Sequence, residues 1–193
     1  MTLTRSDLWS LEEYAGRRQD FRAQVMAHKK RRNVALGPNA TLYFEDELTM
    51  RYQIQEMLRV ERIFEAAEIE EELASYNPLI PNGSNWKATF IIEYGDIEER
   101  KVALATMGGI EQTVWVRVGD AGEKIFAITN EDMDRTRDEK AAAVHFMRFE
   151  LGAADIARLK ADEVLFMGID HASLLGCYEV PADQRAALVA DLT

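Results

Sequence analysis

Residues 76–93, YNPLIPNGSNWKATFIIE, divide the chain into two unlike halves. Pro78 pushes its predecessor out of helical backbone, and Pro81-Asn82-Gly83 follows with three turn-forming residues, so a helical pattern has to stop here. Directly beyond it, residues 88–94 read as a strand rich in apolar and aromatic side chains. Helical periodicity dominates before this stretch, whereas short strands and helices intermingle after it. That segregation predicts an α+β protein: an N-terminal helix, a short β-hairpin and a long helix, then a mixed β-sheet with two to three packed helices. The reading is of one domain over 1–193, with a helical N-terminal region over 1–76 and a sheet-rich region over 86–193 joined by the linker 77–85.

Working back toward the start, Thr4 with Asp7 and Ser10 with Glu13 have the spacing of capping boxes, and a helix is predicted over 10–30. Leu11, Tyr14, Phe21, Val25 and His28 form its apolar stripe, interrupted by Arg18. Residues 34–36 and 41–44 are β-prone runs flanking Gly37-Pro38-Asn39, which predicts the hairpin. No Gly or Pro occurs over 48–73, and Met50, Ile54, Met57, Leu58, Phe64 and Leu73 recur with a helical period, predicting one long helix with an acidic second half. Forward from the divide, the pattern predicts a helix over 97–107, strands over 113–118 and 124–128, a charged loop over 129–140, a strand over 144–151, a helix over 153–161, a strand over 164–169 and a last helix after Pro181.

Composition narrows the function classes. The net charge of the 193 residues is −11, which argues against nucleic-acid binding, since phosphate backbones are held by clustered Lys and Arg. The first 33 residues nevertheless hold eight Lys and Arg against four Asp and Glu, a net of +4, which leaves −15 for the rest. The first helix is therefore expected to pack against the acidic half of the long one. Residues 1–14 lack the basic and apolar runs of a signal peptide, and no uncharged apolar run approaches the length of about 18 residues that spans a bilayer. With a single cysteine, Cys177, no internal disulfide can form, and a cytoplasmic location is expected.

Few residues offer chemistry. Lys29-Lys30-Arg31-Arg32 is the strongest charge cluster and the candidate partner-binding surface, although cations at a helix C-terminus are favoured by the macrodipole alone. Glu56 and Arg59 are three apart on the long helix and can pair along one face, as a structural pair or as members of a polar ligand pocket. His145 alternates with Met147 and Phe149 and is expected in the core with a hydrogen-bonded ring nitrogen. His171 follows Asp170 at a strand end, where neighbouring side chains point to opposite faces. Glu56, Arg59, His145 and His171 are thus the ligand-binding candidates. No metal site is assigned, because paired histidines and CxxC spacings are missing, and no cofactor can be named. Asp132, Asp134 and Asp138 lack the glycine and terminal glutamate of a calcium loop and read as a solvated segment.

The runs HKKRRNVALGPNATLYFEDELTMRYQIQEMLR (28–59), YNPLIPNGSNWKATFIIE (76–93), AVHFMRFEL (143–151) and MGIDH (167–171) resemble the bacterial family catalogued as domain of unknown function 3501, across essentially the whole chain. The family offers no catalytic residues to carry over. The resemblance implies a context: such proteins tend to be encoded beside rubrerythrin-like proteins and iron–sulfur-binding oxidoreductase subunits. The chain lacks the Glu-x-x-His pairs of a di-iron bundle and the cysteines of a cluster, so the resemblance implies a companion of such proteins. Two functions follow as expectations. One is a non-catalytic accessory protein of a cytoplasmic redox or oxidative-stress system, contacting its partner through the basic N-terminal helix and hairpin. The other is a small enzyme or metal- or ligand-binding domain with a polar pocket between the long helix and the sheet.

Overall fold

The structure, a computed structural model, describes residues 2–129 and 142–193, and its class is α+β as expected. Ser10 caps α1 (Leu11–Lys29): its hydroxyl accepts the Glu13 N–H at 3.2 Å, and the Glu13 carboxylate accepts the Ser10 N–H at 3.4 Å. The predicted hairpin forms as β1 (Asn33–Ala35) antiparallel to β2 (Ala40–Glu45). Asp46 then caps α2 (Glu47–Glu61) through the Thr49 N–H at 2.9 Å.

The expected long helix is two helices, α2 and α3 (Ala66–Tyr76). Arg62 takes left-handed backbone (φ 59°, ψ 41°), and the Ile63 N–H closes on the Leu58 carbonyl at 2.9 Å. Ile63 turns in against the cluster of Leu58, Ile69 and Leu73, the apolar contact that commonly secures such a helix end. Packing ends the helix here, with no Gly or Pro to announce it. Residues 77–79 form a 3-10 turn, and the Asn77 amide holds both backbone groups of Leu3 at 2.8 and 2.9 Å.

Beyond this turn come β3 (Asn85–Ile92), α4 (Ile97–Ala105), β4 (Val114–Val118), β5 (Ile125–Phe126), β6 (Ile128–Thr129), β7 (Val144–Glu150), α5 (Ala153–Lys160), β8 (Leu165–His171), β9 (Leu174–Glu179) and α6 (Ala182–Val189). The strands make two antiparallel sheets, ordered β1-β2-β3-β7-β6 and β5-β4-β8-β9, instead of one mixed sheet. Only Ala127 separates β5 from β6, and its N–H bonds the Val114 carbonyl at 2.8 Å, so one short stretch of chain leaves one sheet and enters the other. The two sheets share a corner and one core, in which Phe44, Trp86, Phe90 and Phe149 meet Val116, Leu165 and Met167, with Ile156, Leu159 and Leu188 from α5 and α6. The helical half has clusters of its own, Met50, Ile54, Leu58, Ile69 and Leu73 with Leu3 and Ile80, and Tyr14, Phe21 and Val25 with Tyr52.

Strand β9 has no counterpart among the predicted elements. Gly176 sits in its middle and reads as an interruption, yet it is there because the Tyr178 ring lies over it, where a Cβ would come within 2.5 Å of Cε2. Among the described residues no helix is long and apolar enough to cross a membrane. Asp132, Asp134 and Asp138, with nearly all of the predicted charged loop, lie outside the described residues.

Candidate functional site

The basic cluster is divided by burial. Lys30 and Arg31 are exposed and Lys29 half-buried at the end of α1, but Arg32 is 2% exposed, which corrects its assignment to a partner-binding surface. Its Nε donates to the Phe44 carbonyl (3.2 Å), Nη1 to the Ala187 carbonyl and Asp191 Oδ1 (3.2 Å each), and Nη2 to the Glu45 carbonyl (3.2 Å) and Asp191 Oδ2. All five guanidinium N–H groups are thereby used, joining α6 and the C-terminal residues to β2. Asp46 lies 3.5 Å from Nη1 and accepts a hydrogen bond from His28 Nε2 at 2.5 Å. Burial pushes the Asp46 carboxyl up, but Arg32, the Thr49 N–H and His28 together outweigh it and hold it below its ordinary value. Asp191 is raised, mainly by burial that Arg32 offsets incompletely, with the Asp46 charge adding to the effect. Two carboxylates share one guanidinium.

Glu56 and Arg59 do meet, at 3.1 Å, within a larger group. Arg18, the apparent interruption of the α1 stripe, donates from Nε and Nη2 to the two Glu56 oxygens at 2.7 and 2.9 Å, and the Tyr14 hydroxyl donates to Oε1 at 2.6 Å. The Arg18 hydrogen bonds, with those of Tyr14 and Arg59, overcome burial and hold the Glu56 carboxyl down at about 2. Burial and the adjacent carboxylate raise the Tyr14 hydroxyl well above its usual value. Helix α1 therefore lies on α2, where Phe21 and Val25 are buried as expected, instead of on the acidic second half. Glu61, Glu65, Glu68, Glu71 and Glu72 form no ion pair among the described residues. Burial, with Glu61 and Glu71 adding like charge, raises the Glu72 carboxyl.

His145 is buried on β7 beside Phe90, as its alternation with Met147 and Phe149 predicts. Its Nε2 donates to the Ala142 carbonyl at 2.8 Å, and Nδ1 lies 4.0 Å from a Glu111 carboxylate oxygen. His171, half-buried at the end of β8, accepts the Ser173 N–H at Nδ1 (3.2 Å). Asp170 turns to the other face, where its carboxylate accepts hydrogen bonds from Trp115 Nε1 (2.8 Å) and Lys124 Nζ (2.6 Å). The structure thus unites Glu56 with Arg59 and leaves His145 and His171 on different sheets with partners of their own. Two open clefts, one bordered by Asn82, Asn85 and Glu150 and one by Tyr94, Asp96 and Val102, are lined by none of the four candidates. Among the described residues, no three His, Cys, Asp or Glu side chains are placed to hold a metal ion.

The surface feature that the site residues do not account for is the outer face of the five-stranded sheet. Ile91 is paired across from Val144, Thr89 from Phe146, and Ile128 from Arg148. Val144, Phe146 and Ile128 are 45%, 50% and 39% exposed. The signal is present in VHFMRFE, whose outward positions begin with the apolar Val144 and Phe146 before the charged Arg148 and Glu150.

Compared with known proteins, the chain matches over residues 2–192 the family described as a protein of unknown function, DUF3501. A solved structure similar to it is the crystal structure of a novel protein of unknown function from Burkholderia pseudomallei K96243, at 48% sequence identity over 100% of both chains and a TM-score of 0.94. No curated protein matches.

Proposed function

The chain belongs to the DUF3501 family of proteins of unknown function, and we propose from its surface that it is a non-catalytic accessory protein that docks a partner protein. The observation that carries this reading is a set of apolar side chains exposed, among the described residues, on the outer face of the five-stranded sheet: Val144, Phe146 and Ile128, with the half-buried Ile91 paired across from Val144. Contiguous apolar surface on a soluble protein commonly marks an interaction site. The side chains an enzyme would converge on a substrate are engaged locally instead: Glu56 with Arg18, Tyr14 and Arg59, and His145 with a backbone carbonyl. Lys29, Lys30 and Arg31 would steer an acidic partner toward an otherwise acidic molecule, Arg32 being committed to the core. The resemblance supplies the setting, a cytoplasmic redox or oxidative-stress system, and the partner class, a rubrerythrin-like or iron–sulfur-binding protein.

Affinity capture from the native host, with wild type and a Val144→Ser/Phe146→Ser variant, tests this. A redox partner identified with wild type and lost with the variant is expected. Equal capture by both would sink the sheet face as the interface, and a partner outside that class would sink the redox setting.

A further inference from the structure

Among the described residues most buried or half-buried arginines have acceptors, but Arg51 and Arg117 have none. Arg117 lies over the Trp115 and Phe166 rings of its own sheet, whereas Arg51 shares its ring with a second arginine. Arg51 is half-buried on α2, its Nε is fully buried without a hydrogen-bond partner, and among the described residues it forms no ion pair. Its guanidinium lies instead on aromatic rings, 4.3 Å from the Trp9 centroid and 5.7 Å from that of Phe21. Arg17, exposed on α1 and likewise without an ion pair among the described residues, approaches the same Trp9 ring at 5.3 Å. Asp7 is the acid whose carboxyl senses Arg51, but its Oδ2 is taken by the Thr4 N–H and hydroxyl at 2.8 and 2.7 Å.

Trp9 is held through its backbone and its ring. Gln55, fully buried one turn after Arg51, accepts the Trp9 N–H at 2.7 Å and donates to the Trp9 carbonyl at 3.3 Å. Phe21 meets the indole edge-on at 4.9 Å. Burial closes off Arg51 Nε, and the two Nη groups, which form no hydrogen bond among the described residues, are the ones that can grip a carboxylate with two parallel hydrogen bonds. Asp7 offsets the Arg51 charge only from a distance, and neither guanidinium has an ion-pair partner among the described residues, so a bound anion would neutralise both.

We propose that Arg17 and Arg51, arranged on Trp9, form a carboxylate receptor that anchors a Glu- or Asp-rich segment of a partner protein. The inference deepens the docking function above by giving the partner's chemistry, and it rests on that reading. Lys29, Lys30 and Arg31 at the far end of α1 would draw such a segment toward the basic first helix, the acidic remainder of the chain would repel it, and the two guanidinium groups at Trp9 would anchor it.

The probe is a capped synthetic heptaglutamate peptide, titrated calorimetrically into the full chain at low salt and again at about 1 M salt, where the Debye length is about 3 Å. In a parallel titration, Trp9 fluorescence is followed, since Trp86 and Trp115 are only 0% and 1% exposed. Binding that perturbs tryptophan emission at low salt, and that weakens about tenfold or more in Arg17→Gln/Arg51→Gln, is expected. Arg51→Lys, which keeps the charge but loses the planar fork, should restore binding only incompletely. Equal binding by the double variant would overturn the proposal, as would inorganic phosphate at matched ionic strength binding as well as the peptide, which would mark a free-anion site. If Arg51→Gln does not fold, Arg17→Gln, an exposed change, carries the test alone: unchanged peptide binding then overturns the proposal. Loss of partner capture in the Val144/Phe146 variant with peptide binding intact would bear on the sheet face and leave this receptor standing.

Discussion

Arg18 and Glu56 form a two-pronged ion pair, 2.7 and 2.9 Å, at the one break in the apolar stripe of α1. The pair fastens α1 to α2 from the same side as Phe21 and Val25. Glu56 is held near 2, below an ordinary carboxyl at 4.5, so its contribution to stability is present above the ordinary value and is lost as pH falls through the lowered one. Glu56→Gln should therefore cost about 1–3 kcal/mol at neutral pH and flatten the loss of stability between about pH 5 and pH 2. Urea midpoints of both proteins across that range check this. Parallel curves would show that the pair contributes nothing beyond packing.

Arg32 should be among the least replaceable charges in the protein. Arg32→Met would leave the Asp191 carboxylate buried without its counterion and three carbonyls without their donor. Removing one member of a buried pair costs about 3–5 kcal/mol. Arg32→Lys should recover little of this, since an ammonium cannot supply five coplanar donors. Chemical denaturation of the two variants, read with hydrogen exchange in α6, gives the comparison. A near-wild-type midpoint for Arg32→Met would contradict the role assigned to the guanidinium.

How much of this is legible in the sequence depends on range. Ser10 with Glu13, Gly37-Pro38-Asn39 and the alternation around His145 act between near neighbours, and their outcomes follow from spacing alone. The break at Arg62 depends on Ile63 reaching a cluster that includes Ile69 and Leu73, and no local residue reports it. Arg32 looks like its three basic neighbours because its acceptors lie on β2 and, more than 150 residues on, beside α6. Arg18 reads as a flaw in a stripe for the same reason: its partner is 38 residues away. The antiparallel pairing is similarly hidden, because β9 contains a glycine whose justification is the ring of Tyr178.

His145 should behave as a core residue. Replacing it with Ala removes the 2.8 Å bond to the Ala142 carbonyl and the ring beside Phe90, at a cost of about 1–3 kcal/mol. Equilibrium unfolding is the direct check. If stability is unchanged while a stoichiometric metal is lost, His145 is a ligand and its place in the core is incidental.

Two glycines should respond to alanine with opposite signs. At Gly168 a Cβ would come within 2.4 Å of Trp115 Cζ2 and 2.4 Å of the Gly176 carbonyl oxygen, neither of which is the free end of a flexible side chain. The indole lies over this glycine with the Lys124 ammonium 4.4 Å from its centroid and its N–H on Asp170. Gly168→Ala must displace the ring or separate β8 from β9, at a cost of about 1–3 kcal/mol, with a red shift of tryptophan emission as Trp115 reaches water. Gly16 lies inside α1 with nothing within 4 Å of the position its Cβ would occupy. Gly16→Ala should therefore stabilise by about 0.5–1 kcal/mol through helix propensity alone, with emission unchanged. Thermal melts and emission spectra of the two variants decide the matter, and a Gly168→Ala protein as stable as Gly16→Ala would mean that the indole does not rest on β8.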